Sequence, residues 1–339
     1  MIREPDATRS VAGDWPPARM VPESYPGDCP PGHYLLCGDQ ILPLEENYAG
    51  NGYDLFTAPG ERVDLDAFLA ESGASPVAER FPVLAYGANR NPGTLAIKFR
   101  HYGSPDPRGG DCVPVLRATI RGADVAACRL HGHGYFYGEL LVASPFTADT
   151  EIEVRVALAD LAQLRALNDS EGLREGMYSA AIVSDVLVSG ISKPVSTLAY
   201  VTNTRVWASP ATGTPVGFSV IPAAGRRYPA MASRQLMDHV LDTCGLRRAA
   251  ARITGLADDD ALAHEISKYL NGQWWYQFNS HDSAIPGYAD LLALVNSAMD
   301  ASTVDDHSRD RLADAGLVLG TREAYAPAAS LRLGSMLTC

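Results

Sequence analysis

Val83-Leu84-Ala85-Tyr86-Gly87-Ala88-Asn89-Arg90-Asn91-Pro92 is the stretch that decides the fold. The apolar run from Pro82 to Tyr86 is typical of a strand that is buried on both faces. Small residues then give a turn, and Asn91 followed by Pro92 predicts the N-cap and the first position of a helix. A strand, a tight turn and a helix start, in this order, present backbone N–H groups to an anion.

Leu167-Asn168-Asp169-Ser170-Glu171-Gly172-Leu173-Arg174-Glu175-Gly176-Met177-Tyr178 is the second informative stretch. It follows a predicted amphipathic helix over 160–167 and places Glu171 at an abrupt, glycine-flanked break. One positioned carboxylate beside an anion cradle is sufficient for proton transfer on a small carboxylate-bearing substrate. A surface glutamate at a helix end is the alternative interpretation of Glu171, and we interpret Glu175 as a solvated turn residue.

Composition excludes several classes of function. The chain has 339 residues, of which 46% are hydrophobic and 20% charged, a globular composition that suits one core with additions or two domains. The net charge of -12, without a Lys/Arg run, argues against a nucleic-acid partner. No apolar stretch long enough for a membrane span is seen, and the N-terminus lacks the apolar core of a secretory signal. We therefore expect a cytoplasmic protein with neither a nucleic-acid nor a membrane partner.

The cysteines do not form a compact disulfide framework. Six are scattered along the chain: Cys29, Cys37, Cys112, Cys128, Cys244 and Cys339. Reduced thiols are the expectation, and a Cys29–Cys37 bridge across a loop is disfavoured. Cys128, His131 and His133 have the residue types for zinc, but no second ligand pair accompanies them, so no metal is predicted. The two histidines are alternatively candidates to line a pocket.

The remaining elements are predicted from periodicity and caps. Strands are predicted over 113–120, 125–130, 135–143, 152–158, 178–188 and 195–202, and helices over 65–70 (introduced by Asp64), 232–244, 260–269 and 288–299. The proline-rich residues 1–32 predict an extended arm or tail, and 33–60 predict short apolar pieces with turns. Trp274-Trp275-Tyr276 is interpreted as packing of an appended helix, and Asp258-Asp259-Asp260 as a helix N-cap rather than a metal site.

Both stretches resemble motifs of one family. Tyr86-Gly87-Ala88-Asn89 resembles the Tyr-Gly-Ser-Asn loop of the γ-glutamylcyclotransferase-like proteins. The run from Glu171 to Tyr178 is similar to that family's glutamate turn, where Glu-Gly is followed by Gly-Met-Tyr. The order of elements also agrees, over residues of about 80–245. The resemblance implies an α+β fold: a small mixed β-barrel with flanking helices, to which this chain adds an N-terminal arm (1–79) and a helical C-terminal extension (246–339) around the catalytic domain (80–245).

The resemblance also implies an activity. In that family, the α-amine of a γ-glutamyl amide attacks its own γ-carbonyl and releases 5-oxoproline and an amine, without a cofactor or a metal. Carried over, Glu171 is the general acid/base, and the residues expected to bind substrate are Tyr86, Gly87, Ala88, Asn89, Arg90 and Tyr178. The backbone N–H groups of Gly87–Asn89 would hold the substrate carboxylate or the oxyanion. Arg90 would pair with a substrate carboxylate or face solvent.

Departures from the family leave alternatives open. Ala88 stands where the family has serine, which removes a hydroxyl from the loop. The added segments would close the pocket, change the leaving-group side or form a homo-oligomer interface. We therefore expect a γ-glutamyl conjugate larger than glutathione-type metabolites, such as a natural-product intermediate. The alternatives are an amide hydrolase or acyl-transfer enzyme on the same scaffold, with Glu171 activating water or an external amine, and a non-catalytic small-molecule-binding protein.

Overall fold

The computed structural model describes residues 9–10, 14–47, 52–58, 61–102, 112–280, 287–304 and 307–338. The side chains of 274–280 are outside this description, so the interpretation of Trp274-Trp275-Tyr276 is not addressed. Within the described ranges, no helix is both long enough and apolar enough to cross a membrane.

The described residues form fifteen strands and ten helices. The strands are β1 Arg9–Ser10, β2 His33–Cys37, β3 Gln40–Glu46, β4 Tyr53–Ala58, β5 Glu61–Asp64, β6 Phe81–Ala85, β7 Cys112–Arg121, β8 Ala123–Leu130, β9 Phe136–Val142, β10 Glu151–Ala159, β11 Tyr178–Val188, β12 Val195–Thr202, β13 Gly217–Phe218, β14 Ala223–Ala224 and β15 Ala230–Met231. The helices are α1 Leu65–Glu71, α2 Pro92–Tyr102, α3 Leu161–Ser170, α4 Ser233–Thr243, α5 Arg247–Thr254, α6 Leu262–Ser280, α7 Tyr288–Asp300, α8 Ser308–Asp314, α9 Thr321–Tyr325 and α10 Leu333–Thr338.

A closed five-stranded barrel forms the centre of this mixed α+β fold. Its strands follow the order β10, β6, β12, β11 and β7, and β7 pairs again with β10 to close the ring. The pairing of β6 with β12 is parallel, with Val83 opposite Leu198, and the other four pairings are antiparallel. All five residues of β6 are buried, which confirms the prediction of a strand covered on both faces. The barrel therefore carries the turn that follows β6 on a rigid support.

The segment before the barrel adds five strands to the same sheet. Strand β2 pairs with β7, and β3, β4 and β5 follow it in order as antiparallel neighbours, while the short β1 pairs with β3. Only short apolar pieces with turns are expected from the sequence of 33–60. Tyr34, Leu35 and Leu36 are all buried because β2 is inserted between β7 and β3. A three-residue apolar run has too little periodicity to reveal this arrangement.

The expectation of reduced thiols is wrong for one pair of cysteines. Cys37 and Cys112 form a disulfide across a sequence separation of 75 residues. They stand directly opposite each other because β2 and β7 are antiparallel neighbours, with Cys37 in register with Cys112. Cys29 is a free thiol, so it makes no bridge with Cys37. This long-range register is invisible in cysteine spacing alone.

A second, four-stranded sheet and the later helices pack beside the barrel. Its order is β15, β13, β8 and β9. Helix α7 covers the end of β8, where the Asn296 side-chain amide donates to the Leu130 carbonyl (3.1 Å) and accepts from the Leu130 N–H (2.8 Å). The predicted helices over 232–244 and 288–299 are present as α4 and α7, while the helix predicted over 260–269 continues to residue 280 as α6.

Candidate active site

The turn after β6 is fixed by the cap of helix α2. The Asn91 side-chain oxygen accepts the Thr94 N–H at 2.8 Å, and helix α2 begins at Pro92, which confirms the predicted N-cap. The Asn91 amide nitrogen also donates to the Asp28 carbonyl at 2.8 Å. One side chain thus caps the helix and fastens the N-terminal segment to it.

Backbone N–H groups of the turn are available to a ligand. Residues Ala88–Arg90 form a single 3-10 turn, whose internal hydrogen bonds use the N–H groups of Arg90 and Asn91. Within the part of the chain that the structure describes, the N–H groups of Gly87, Ala88 and Asn89 have no hydrogen-bond acceptor. Donors left unpaired at the start of a helical turn suit a negatively charged group.

Glu171 ends helix α3 in a tight glycine-dependent turn. The Leu173 N–H donates to the Asn168 carbonyl (3.3 Å) and the Gly172 N–H to the Asp169 carbonyl (3.1 Å), which is the Schellman arrangement. Gly172 has a φ of +63°, a left-handed conformation that glycine adopts without strain. A carboxylate at this end of a helix opposes the helix dipole, so the helix gains no stability from Glu171.

Two side chains bind one oxygen of the Glu171 carboxylate. Its Oε1 accepts the Asn89 amide N–H at 2.8 Å and also contacts the Lys98 ammonium. Among the described residues, no hydrogen bond or ion pair reaches Oε2. The site therefore fixes one carboxylate oxygen and leaves the other without a donor from the described chain.

The carboxylate and the turn face one cavity of about 870 Å³. Its lining includes Arg19, Tyr25, Tyr86, Gly87, Ala88, Asn89, Thr94, Lys98, His131, His133, Tyr135, Glu171, Tyr178 and Tyr200. This volume lies in the range of about 300–1,000 Å³ that is usual for small-molecule sites. The structure thus brings the two sequence motifs, eighty positions apart, to the walls of a single cavity.

Buried tyrosines surround the carboxylate. The Tyr86 hydroxyl donates to the Tyr200 carbonyl, and the Tyr200 hydroxyl donates to the Asn168 Oδ1 at 2.9 Å. Burial raises the pKa of Tyr178 and Tyr200 well above its usual value, and the negative charge of Glu171 raises it further. These phenols stay protonated at neutral pH and act only as neutral hydrogen-bonding groups.

Arg90 is the one predicted site residue that lies outside the lining of this cavity. Its side chain is buried, with Nε and Nη2 donating to the Cys29 Sγ at 3.4 and 3.1 Å. Its carbonyl accepts the Tyr34 hydroxyl at 3.0 Å. In this position Arg90 joins the N-terminal segment to the turn. Ala88, by contrast, lines the cavity, so a serine there would put its hydroxyl at the same wall.

His131 and His133 both line the cavity, while Cys128 is buried in β8 with its thiol near the Ala126 carbonyl. Within the described ranges, no group of three or more His, Cys, Asp or Glu side chains is placed to hold a metal ion. Burial lowers the pKa of His131 to about 4. It lowers that of His133 to about 3, with the neighbouring His131 contributing. Both imidazoles are therefore neutral at neutral pH.

The N-terminal segment 15–30 supplies one wall of the cavity. It contributes Ala18, Arg19 and Tyr25 to the lining. Helices of the later chain hold this segment in place: Ser233 donates to the Tyr25 carbonyl at 3.0 Å, and the Glu23 carboxylate contacts the His264 ring at 2.5 Å. Gly93 lets the backbone of this segment approach helix α2 closely, since a Cβ on Gly93 would lie 2.2 Å from the Trp15 carbonyl oxygen.

The C-terminal segment braces the glutamate turn from outside. The Tyr325 hydroxyl contacts the Asp169 carboxylate at 2.5 Å, and the Ala324 carbonyl accepts the Asn168 amide at 3.1 Å. Both contacts fall on the last turn of α3, directly before Glu171. Helix α9 thereby fixes the direction in which this helix delivers its terminal carboxylate.

Lys98, Arg19 and Tyr25 were missed from the sequence. For Lys98 a signal exists, because Thr94, Lys98 and His101 recur at helical spacing and all line the cavity. No such signal exists for Arg19 and Tyr25, because the proline-rich segment around them has no periodicity that relates its residues to the barrel.

Comparisons with known proteins give only distant likenesses. No family profile matches the chain, and no curated protein matches it. Solved structures are similar to it at a low level, and three of them are described here. An uncharacterised human protein has 16% identity and a TM-score of 0.28, covering 57% of this chain and 98% of its own.

The second structure is described as a γ-glutamyl cyclotransferase, with 14% identity and a TM-score of 0.28, covering 56% of this chain and 99% of its own. The third is YkqA from Bacillus subtilis, with 12% identity and a TM-score of 0.29, covering 71% of each chain. At these TM-scores the likenesses do not identify the chain with any of the three proteins.

Proposed function

We propose that this protein is an enzyme that cleaves a γ-glutamyl amide by internal attack, releasing 5-oxoproline and an amine. The observation that carries the proposal is the Glu171 carboxylate, whose Oε1 is fixed by Asn89 and Lys98 while Oε2 is left to the cavity. A carboxylate held in this way suits the transfer of a proton from and to a bound substrate.

The substrate ammonium suits the open carboxylate oxygen. An α-ammonium group can donate to the Glu171 Oε2, since only Oε1 is held by Asn89 and Lys98. The α-carboxylate of the same substrate is matched by the Lys98 ammonium, which leaves the free N–H groups of Gly87–Asn89 to the oxyanion. The arrangement is thus complementary to both charged groups of a γ-glutamyl head.

The reaction then needs only orientation and proton transfer. Glu171 accepts a proton from the α-ammonium, and the freed amine attacks the γ-carbonyl carbon to form the five-membered ring. The N–H groups of the turn stabilise the oxyanion, each such donor contributing about 2.7–4 kcal/mol in comparable sites. The C–N bond to the leaving group breaks as Glu171 returns its proton to the leaving nitrogen. The ring nitrogen loses its second proton to water, or to the released amine where that amine is basic enough to hold it.

The test is detection of 5-oxoproline by mass spectrometry after incubation with a panel of γ-glutamyl amides. Glu171→Gln keeps the shape of the side chain but removes its basicity, so we expect its turnover to fall by at least 100-fold. Glu175→Gln is the matched control, because Glu175 is an exposed glutamate in the same turn. Free glutamate in place of 5-oxoproline would favour hydrolysis, and equal activity of Glu171→Gln would overturn the role of Glu171.

A further inference from the structure

The cavity has a second half that the proposed chemistry does not use. Tyr25 connects the two halves. Its hydroxyl accepts the Gly138 N–H at 2.9 Å and lies 3.1 Å from the point where a Cβ on Gly87 would stand. Its ring stacks on that of Tyr135, with centroids 4.7 Å apart. An aromatic wall therefore begins directly beside the turn that faces Glu171.

The rings of this wall lie in nearly parallel planes. Tyr135 and His131 have centroids 5.1 Å apart and an interplanar angle of 9°, and His131 and His133 are separated by 5.0 Å at 10°. Tyr135 and His133 are inclined by only 3°. Aligned ring planes favour a planar aromatic ligand, since offset stacking of one more ring continues the same arrangement.

The wall itself carries no charge at neutral pH. Burial lowers the pKa of both histidines to about 4 or below, as described above, and raises the pKa of Tyr25 and Tyr135 above its usual value. A charged ligand group must therefore find its partner elsewhere on this side of the cavity.

Arg19 is that partner. Among the residues that the structure describes, no carboxylate contacts its guanidinium. Two other cations of the lining have carboxylate partners of their own: Lys98 contacts Glu171 and belongs to the γ-glutamyl end of the cavity, and Arg129 lies 3.3 Å from the Asp300 carboxylate. A partly buried guanidinium without an anion favours a ligand that brings a carboxylate.

We propose that this half of the cavity binds the leaving group, and that the leaving group is a planar aromatic amine bearing a carboxylate. Its ring lies along the wall of Tyr135 and the two histidines, and its carboxylate pairs with Arg19. Arg19 is then a specificity-determining residue supplied by the N-terminal segment. The proposal rests on the proposed function, because the amine released from the γ-glutamyl group must leave through this half.

Equilibrium binding of free amines tests the proposal without requiring turnover. The probe is 4-aminobenzoate, compared by calorimetry with aniline, which lacks the carboxylate. Benzoate is compared with cyclohexanecarboxylate, which has the same charge but lacks the planar ring. We expect each planar carboxylate to bind at least 10-fold more tightly than its analogue. Equal affinities within either pair, or no binding of 4-aminobenzoate, would overturn the proposal.

Two variants assign the contributions. Arg19→Gln should remove the advantage of 4-aminobenzoate over aniline. Tyr135→Leu should remove the advantage of benzoate over cyclohexanecarboxylate. Arg121→Gln, which removes an exposed arginine at the barrel edge, should change neither. Circular dichroism and thermal melting establish that each variant is folded. An Arg19→Gln variant that keeps the carboxylate preference would refute the role of Arg19. If the preference holds but no γ-glutamyl amide yields 5-oxoproline, the proposed function fails while the ligand class stands.

Discussion

The Nζ of Lys98 and the Oε1 of Glu171 are in direct contact where helices α2 and α3 pack together. Their side chains are 17% and 13% exposed, so both charges are largely withdrawn from water. Removing one member of such a pair leaves the other without compensation, which costs more than the loss of a surface ion pair. The contact thus ties the position of the proposed general base to the helix that begins at Asn91.

A double-mutant cycle on this pair should show strong coupling. Lys98→Met is expected to lower the free energy of unfolding by about 1–3 kcal/mol, because Glu171 is left unpaired. Adding Glu171→Gln should recover much of that loss. Urea unfolding measures all four species. The Lys268–Glu265 pair, 60% and 42% exposed on α6, is the control, with a coupling of about 0.5 kcal/mol or less. Equal coupling for both pairs would contradict the structure.

Asn89→Ala should affect turnover more than substrate binding. The variant removes the 2.8 Å hydrogen bond to the Glu171 Oε1, and a hydrogen bond to a charged group contributes about 1.5–3 kcal/mol. We expect kcat to fall by about 10–100-fold, measured by 5-oxoproline release, with a smaller change in KM. A loss confined to KM would show that Asn89 only binds substrate and does not position Glu171.

Gly172→Ala should damage both stability and activity. Alanine disfavours the φ of +63°, and its Cβ would lie 2.9 Å from the Met177 Sδ, so we expect a loss of about 1–2 kcal/mol in the free energy of unfolding. Gly245→Ala is the matched control. Gly245 ends α4 in the same Schellman arrangement, with a φ of +67° and no neighbour within 4 Å of its Cβ position. The Gly245→Ala variant should lose about 1 kcal/mol in the free energy of unfolding but keep its kcat. The Gly172→Ala variant should lose both stability and kcat.

The partly buried His131 should make the folded state sensitive to acid. Its pKa is lowered from the usual 6.5 to about 4, so the unfolded chain binds the proton first as the pH falls. This contribution to the free energy of unfolding is complete above pH 6.5 and is lost as the pH falls from 6.5 towards 4. Between pH 6.5 and pH 4, the free energy of unfolding of His131→Phe should fall by about 1–3 kcal/mol less than that of the unchanged protein. Chemical unfolding at several pH values measures this difference. Parallel curves for the two proteins would show that His131 does not carry this dependence.

Local signals in the sequence predict individual strands and helix starts well. Asp64 caps α1, with its side chain accepting the Ala67 N–H at 2.9 Å, just as Asn91 caps α2. The strands predicted over 178–188 and 195–202 have those same bounds in the structure. Each of these predictions depends on a cap or a periodicity contained within about ten residues, which is the range over which sequence patterns are informative.

Long-range relations were not predictable in this way. The register that places Cys37 opposite Cys112 depends on how two distant strands pair. The place of Arg19 beside the cavity depends on contacts that its segment makes with later helices, such as that between Glu23 and His264. Neither relation leaves a trace in local composition, because the interacting residues are separated by tens to hundreds of positions.

Two separate parts of the chain form the cavity wall, because segment 15–30 packs on the outside of the barrel. Glu171, Asn89 and Lys98 belong to the barrel and its two helices, whereas Arg19 and Tyr25 come from a stretch that only rests against them. A change of the Arg19 or Tyr25 side chain alone would therefore alter the ligand-facing wall, while the contacts of Asp28 and Cys29 with the turn, and the Asn89–Glu171 contact, would remain.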